Sequence, residues 1–330
     1  MEGNLFILNF KISHLVKNLY RFFYKLFLIV CILFVVDYLT GLSLKQMYFG
    51  QTSGTYYRTS YSISETNADL LIFGSSKAIH YYNPSVFEDS LHLSCYNVGK
   101  EGLEMFYHYA ILKSVLQRYK PKKIILDLTR EGLCFNQDSY DKIATLLPYY
   151  DSNPEMREII YMKSPYERLK LLSKTYPYNS MILPMLAFNT EFVRKRKTHY
   201  HGFEPLQTTD TSLVRKMLIA QSKREVAESS IDTLKTGVFK RFIEDCIQSK
   251  VGLVVIVSPY LLNEDRSYQS IQLARSICKE YNVDFLDYCY LPGVSDNVNY
   301  FFDETHLNGV GANEFSKIVL KYFESDNLIK

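Results

Sequence analysis

The 330-residue chain has no tryptophan, no Cys-x-x-Cys pair and only a small surplus of one charge, with 38 lysines and arginines against 35 aspartates and glutamates for a net charge of +3. That balance, without a dense basic tract, excludes the electrostatic footprint of nucleic-acid binding, so no nucleic-acid partner is expected. Cys31, Cys95, Cys134, Cys246, Cys278 and Cys289 show no metal-ligand spacing and read as reduced, structural thiols, with a disulfide between some pair as the alternative if the domain faces an oxidising compartment. Glycine (14) and proline (10) are sparse, and 47% of residues are hydrophobic, which excludes a collagenous or disordered chain. There is no G-x-S-x-G elbow, P-loop or H-E-x-x-H motif. His199-Tyr200-His201 lacks a completing ligand set and reads as a pair of loop histidines, so neither a metal nor an organic cofactor is expected.

One long apolar run is present, over residues 26–36 (LFLIVCILFVV). Phe22, Phe23 and Tyr24 before it and Tyr38, Leu39 and Leu42 after it extend it towards the ~20 residues that a bilayer core requires. Lys11, Lys17, Arg21 and Lys25 precede the run with Glu2 as the only acid, which predicts an inside N-terminus. DYLTGLS after the run offers no A-x-A-like cleavage site. The expectation is an uncleaved single-pass anchor. Residues 1–21 are cytoplasmic, 22–43 span the membrane, 44–67 form a polar connector, and 68–330 lie outside.

Five short apolar runs follow, at residues 69–73 (DLLIF), 94–98 (SCYNV), 123–128 (KIILDL), 253–257 (LVVIV) and 283–287 (VDFLD). Near-continuous apolar strands suit a parallel sheet buried on both faces. Helical patterns at 103–117, 231–249, 268–281 and 312–323 alternate with them, predicting an α/β, doubly wound sheet of about five strands. More than a hundred residues separate the third and fourth strands, too many for an ordinary βα connection. Residues 139–228 therefore read as a mainly helical insertion packed over one end of the sheet. The basic run 194–197 (RKRK) within it reads as a solvated face.

Three motifs carry chemistry. Gly74-Ser75-Ser76-Lys77 ends the first strand, where open α/β sheets present ligand-binding groups. Lys77 reads as solvent-exposed, and His80 as either close to the crevice or packed on the following helix. Asn97-Val98-Gly99-Lys100-Glu101-Gly102 follows the second strand and offers backbone N–H groups to the same crevice. Asp303-Glu304-Thr305-His306 precedes the final helix, and a carboxylate three residues before an imidazole can orient it towards a nucleophile.

In this order the motifs resemble the SGNH, or GDSL-like, hydrolase family. The resemblance covers roughly residues 69–133 and 251–323. It implies a flavodoxin-like sheet and a Ser–His–Asp triad made of Ser76, His306 and Asp303, with Ser75 where the family has the Asp of its GDS motif. It also implies an oxyanion hole from the N–H groups of Ser76 and Gly102, with Gly99 as the alternative. The family's third block, GxND, is absent after the third strand, where Asp127-Leu128-Thr129-Arg130-Glu131-Gly132 stands. Arg130 and Asn136 are the open alternatives for the missing donor. These departures resemble the membrane-anchored AlgJ-like and DltD-like subgroup. The resemblance implies an acyl esterase or O-acyltransferase acting on acyl, and especially acetyl, esters of cell-envelope polysaccharide. Its partners would be an acylated glycan, the bilayer and a multi-pass membrane O-acyltransferase. A non-catalytic accessory protein on the same scaffold, binding a glycan or that acyltransferase, is the alternative.

Overall fold

A computed structural model describes residues 2–188, 200–207, 214, 216, 230–262 and 268–325. The apolar runs form β1 (Leu70–Phe73), β2 (Cys95–Asn97), β3 (Lys123–Asp127), β4 (Gly252–Val257) and β5 (Asp284–Asp287). All pairings are parallel, in the order β2-β1-β3-β4-β5. Around the sheet lie α1 (Glu2–Phe49), α2 (Gly54–Ser64), α3 (Ser76–Tyr81), α4 (Pro84–Leu91), α5 (Met105–Arg118) and α6 (Gln137–Asp141). They are followed by α7 (Arg157–Met162), α8 (Glu167–Lys170), α9 (Ile182–Phe188), α10 (Thr233–Gln248), α11 (Gln269–Glu280) and α12 (Gly309–Ser325). The architecture is the α/β one expected. β1 is continuously apolar because both of its faces are covered. Leu71 and Phe73 pack with the side that holds α5 and α10, while Leu70 and Ile72 pack with the side that holds α3, α4 and α12. Ile125 of β3 is fully buried, and truncation to alanine there would cost roughly 2–5 kcal/mol.

α1 is long and apolar enough to cross a membrane, and its large side chains from Val16 to Leu42 are mostly exposed. Its last turns are different, because Leu44 and Tyr48 are buried in the core. The stretch read as a connector is thus ordered: α1 continues through it to Phe49, and α2 then packs on α5, burying Tyr56, Arg58 and Ile63. The described part of the long insertion is helical, with α6 to α9 joined by 3₁₀ turns, and it packs against α5 and α1. The basic run 194–197 and His199 lie outside the described residues.

The chain order reverses between β1 and β3, which both neighbour each other and lead to opposite halves of the sheet. Their carboxyl ends mark the crevice where such folds place ligands.

Candidate active site

β1 ends at Gly74, whose φ of +149° is open only to glycine. A Cβ there would stand 2.8 Å from Ala78 Cβ and 2.9 Å from Asp127 Cβ, so the turn also needs the missing side chain for close approach to β3. Ser75 is buried at the N-cap, and Ser76, half-buried, opens α3. From here Ser76 Oγ meets His306 Nε2 at 2.9 Å, across 230 residues of chain.

The loop before α12 holds the imidazole. An isolated bridge between Phe301 and Leu307 closes it, and the Asn308 side chain accepts from the N–H groups of Val310 and Gly311 to cap α12. Gly311 is required because a Cβ would fall 2.3 Å from the Tyr300 carbonyl oxygen. Tyr81 Oη, on α3, donates to the Thr305 carbonyl and so ties the serine's helix to the histidine's loop.

Asp303 orients the ring. His306 Nδ1 lies 2.9 Å from Asp303 Oδ2 and 3.1 Å from Oδ1. Asp303 Oδ1 also accepts from the N–H groups of Thr305 (2.8 Å) and His306 (2.7 Å). Burial alone would raise this carboxyl, but the His306 hydrogen bond and charge and the two backbone donors outweigh it and hold it at about 2. A carboxylate partner makes Nδ1 the protonated nitrogen, which leaves the Nε2 lone pair facing the Ser76 hydroxyl. The His80 ring stands edge-on to His306 at 5.8 Å, and His80 Nδ1 donates to the Glu204 carbonyl at 2.6 Å. Burial pushes His80 below the usual histidine range.

The loop after β2 is braced by Asn97, whose Nδ2 donates to the Ala78 carbonyl at 2.7 Å. Asn97 Oδ1 accepts from Gly99 N–H at 3.0 Å, and Lys100 N–H donates to the Gly74 carbonyl at 3.0 Å. The Gly99 donor is therefore spent inside the loop. Gly102, at φ +68°, keeps an N–H with no acceptor among the described residues. Arg130 lies with its guanidinium over the rings of Tyr260 (4.7 Å) and Tyr268 (5.1 Å), while its N–H donates to Tyr260 Oη. Asn136 caps α6, its Oδ1 accepting from Asp138 N–H at 2.9 Å.

Lys77 differs from its sequence reading. It is 3% exposed, and its ammonium donates to the carbonyls of Ser258 (3.1 Å) and Pro259 (2.7 Å) and lies over the Tyr260 ring. Those acceptors immediately follow β4, far from Lys77 in sequence, so no local pattern signals them. Burial pulls Lys77 well below the lysine range, and burial pushes the neighbouring Asp127 up to about 6 against the opposing Lys77 charge and the Tyr82 hydroxyl. Asp127 was likewise not singled out by sequence, because it reads as the polar end of an apolar strand.

Between the ends of β1 and β3, the space lined by Ser75, His108, Asp127 and Leu128 amounts to only about 10 Å³. A larger pocket of about 270 Å³ opens one turn along α3, lined by Arg58, Ile79, Gly99, Lys100, Tyr107 and Glu204. Residues 200–207 run beside it. Asn97 N–H donates to His201, Glu204 N–H to Ile79, and Gly309 N–H to Leu206, which carries this segment from β2 past α3 to α12. His201 pairs with Glu88, and among the described residues no three His, Cys, Asp or Glu side chains are grouped to hold a metal ion. The six cysteines are free thiols, five of them buried.

No protein-family model matches the chain, and no curated protein matches it. Functional assignment rests on this geometry and on the motifs that build it.

Proposed function

We propose that the chain is a serine acyl esterase or O-acyltransferase of the SGNH type. The observation that carries this reading is the hydrogen-bonded series Ser76 Oγ, His306 Nε2, His306 Nδ1 and Asp303 at the carboxyl edge of the sheet. Ser76 Oγ attacks the carbonyl carbon of the ester as His306 Nε2 takes its proton, and Asp303 stabilises the imidazolium. The N–H groups of Ser76 and Gly102 receive the oxyanion, in place of Gly99, whose donor is occupied. Collapse of the tetrahedral intermediate expels the alcohol, which takes the proton from His306, and leaves the acyl group on Ser76. Water then accepts the acyl group in hydrolysis, or a sugar hydroxyl in transfer.

In this reading α1 anchors the enzyme with its N-terminus in the cytoplasm, and the α/β domain works outside on acyl, chiefly acetyl, esters of envelope polysaccharide. A multi-pass membrane O-acyltransferase is the partner that would supply or receive acyl groups. The pocket of about 270 Å³ beside α3, lined by Arg58, Lys100, Tyr107 and Glu204 among others, is the space into which the glycan would extend.

The test is fluorophosphonate labelling of the detergent-solubilised chain with the adduct mapped by mass spectrometry. An adduct at Ser76 that disappears in His306→Ala is the expected result. Failure to label a folded chain, combined with no hydrolysis of simple acetyl esters, sinks the reading. The absent third-block Asn and the apolar α1 favour one alternative, a non-catalytic accessory protein that binds a glycan or membrane acyltransferase.

A further inference from the structure

Residues 166–183 carry large apolar side chains that the described chain leaves uncovered. Tyr166 (67% exposed), Leu169 (66%) and Leu172 (65%) recur every third residue along α8 and the turn after it, so they share one side. Glu167 and Leu171, between them, are buried. Leu183, at the start of α9, is 78% exposed.

The same segment grips α1. Asp37 accepts from Ser173 Oγ, Lys174 N–H and Thr175 Oγ1, each at 2.6 Å, and from Thr175 N–H at 3.3 Å. One turn further along α1, a Cβ on Gly41 would fall 2.5 Å from Lys174 Cβ, so the chain presses directly on the helix backbone. Leu172 is therefore held at the level of Asp37.

That level lies at or inside the edge of the hydrocarbon. A helix rising ~1.5 Å per residue crosses a ~30 Å core in about 20 residues. Counted from Lys17, Arg21 or Lys25 as the inner boundary, the outer boundary falls at Asp37, Gly41 or Lys45. Each choice places Leu172 at or below it. A carboxylate at such depth is costly unless partnered, and Asp37 has four donors. A groove of about 330 Å³ lined by Tyr38, Leu42, Lys45 and Lys174 among others opens beside it, mixing apolar walls with Lys45 and with a Lys174 that pairs with Asp151, a polar rim suited to the headgroup layer.

We propose that residues 166–183 are a lipid-docking surface: Tyr166, Leu169, Leu172 and Leu183 enter the same leaflet that α1 leaves, giving the domain a second contact with the bilayer. The proposal rests on α1 spanning the membrane. It is independent of the chemistry at Ser76. The domain is then seated on the lipid at a set height.

The absence of tryptophan makes the test direct. Three single-tryptophan variants of the full chain, Leu172→Trp, Phe27→Trp and Lys321→Trp, are reconstituted into phosphatidylcholine vesicles with or without brominated acyl chains. Lys321 is exposed on α12, on the opposite face of the sheet from α1. The expected result is blue-shifted emission from Leu172→Trp, quenched most by bromines near the headgroup end of the chain. Phe27→Trp is quenched by deeper bromines, and Lys321→Trp is untouched. Quenched Phe27→Trp with unquenched Leu172→Trp overturns the docking surface and leaves the span standing, which would turn the patch towards a protein partner. Unquenched Phe27→Trp overturns both. Leu169→Trp, on the same side, gives the reading if Leu172→Trp does not fold.

Discussion

Replacing Asp303 by asparagine tests the relay at the atom that sets its direction. The carboxylate receives four hydrogen bonds at 2.7–3.0 Å, from the His306 ring, the His306 and Thr305 N–H groups and the Thr305 hydroxyl. These partners hold the carboxyl at about 2 instead of the ordinary 3.8, and with solvent screening of this partly exposed group the charged form is favoured by roughly 1–2 kcal/mol. In Asp303→Asn the side-chain oxygen still serves the two backbone donors, so the loop keeps its shape. The amide nitrogen then faces His306 Nδ1 and forces that nitrogen to accept. The proton moves to Nε2, where it blocks the lone pair that should receive the Ser76 proton. A tautomer error of this kind costs about 10⁴ in kcat. The assay compares hydrolysis of an aryl acetate and the rate of fluorophosphonate labelling in the variant and the parent chain, with circular dichroism to verify folding. A folded Asp303→Asn chain that labels within a few-fold of the parent refutes the assigned role. The same residue sets an acid limit. Its folded pKa lies below the unfolded one, so its contribution is complete above about pH 4 and is lost as pH falls towards 2, and Asp303→Asn should flatten acid unfolding in that window.

Lys100 behaves in the opposite range. Burial, with the Arg58 charge adding to it, brings Lys100 down to about 7, so between there and 10.5 the unfolded chain binds the extra proton and stability rises with pH. Urea unfolding across that range should show the rise, and Lys100→Met should remove it. Asp37→Ala deletes the acceptor of four hydrogen bonds and should cost roughly 3 kcal/mol, since bonds to a charged group contribute about 1.5–3 kcal/mol each and do not add fully. An unchanged melting temperature in detergent would mean that the α1 contact is not made. Gly74→Ala places a Cβ against Ala78 and Asp127 and should cost several kcal/mol or prevent folding, as judged by yield and thermal melting. Gly102→Ala meets only the flexible end of Lys142 and should cost about 1–2 kcal/mol from its positive φ.

Much of the fold was legible in the sequence because its signals are local. The runs at 69–73, 123–128 and 253–257 are apolar without alternation because both faces of β1, β3 and β4 are covered, and no other environment favours that pattern so strongly. The spacing of Asp303 and His306 was legible too, since a three-residue turn sets their geometry whatever the remainder of the chain does. The apolar stretch of α1 declared itself by composition, once the flanking aromatic and aliphatic residues extend its run of eleven towards a membrane's thickness.

What tertiary structure decided are the contacts made across distance. Lys77 sits in a turn sequence that suggests solvent, yet its ammonium is buried because the chain just past β4 brings it two carbonyl acceptors, Ser258 and Pro259, 181 and 182 residues further on. Gly99 and Gly102 are equivalent as letters, and only the Asn97 side chain, consuming one of their N–H groups, distinguishes them. Residues 44–67 look like a polar connector because, apart from Leu44 and Ile63, their buried face is built mainly from Tyr, Arg, Thr and Ser, and Arg58 becomes tolerable in the interior only once Glu204 and the Gly202 carbonyl arrive. Sequence sets which segments must leave water. The partners that let a charge or a free N–H follow them are chosen by the fold, because a buried polar group is stable only where another element brings its complement.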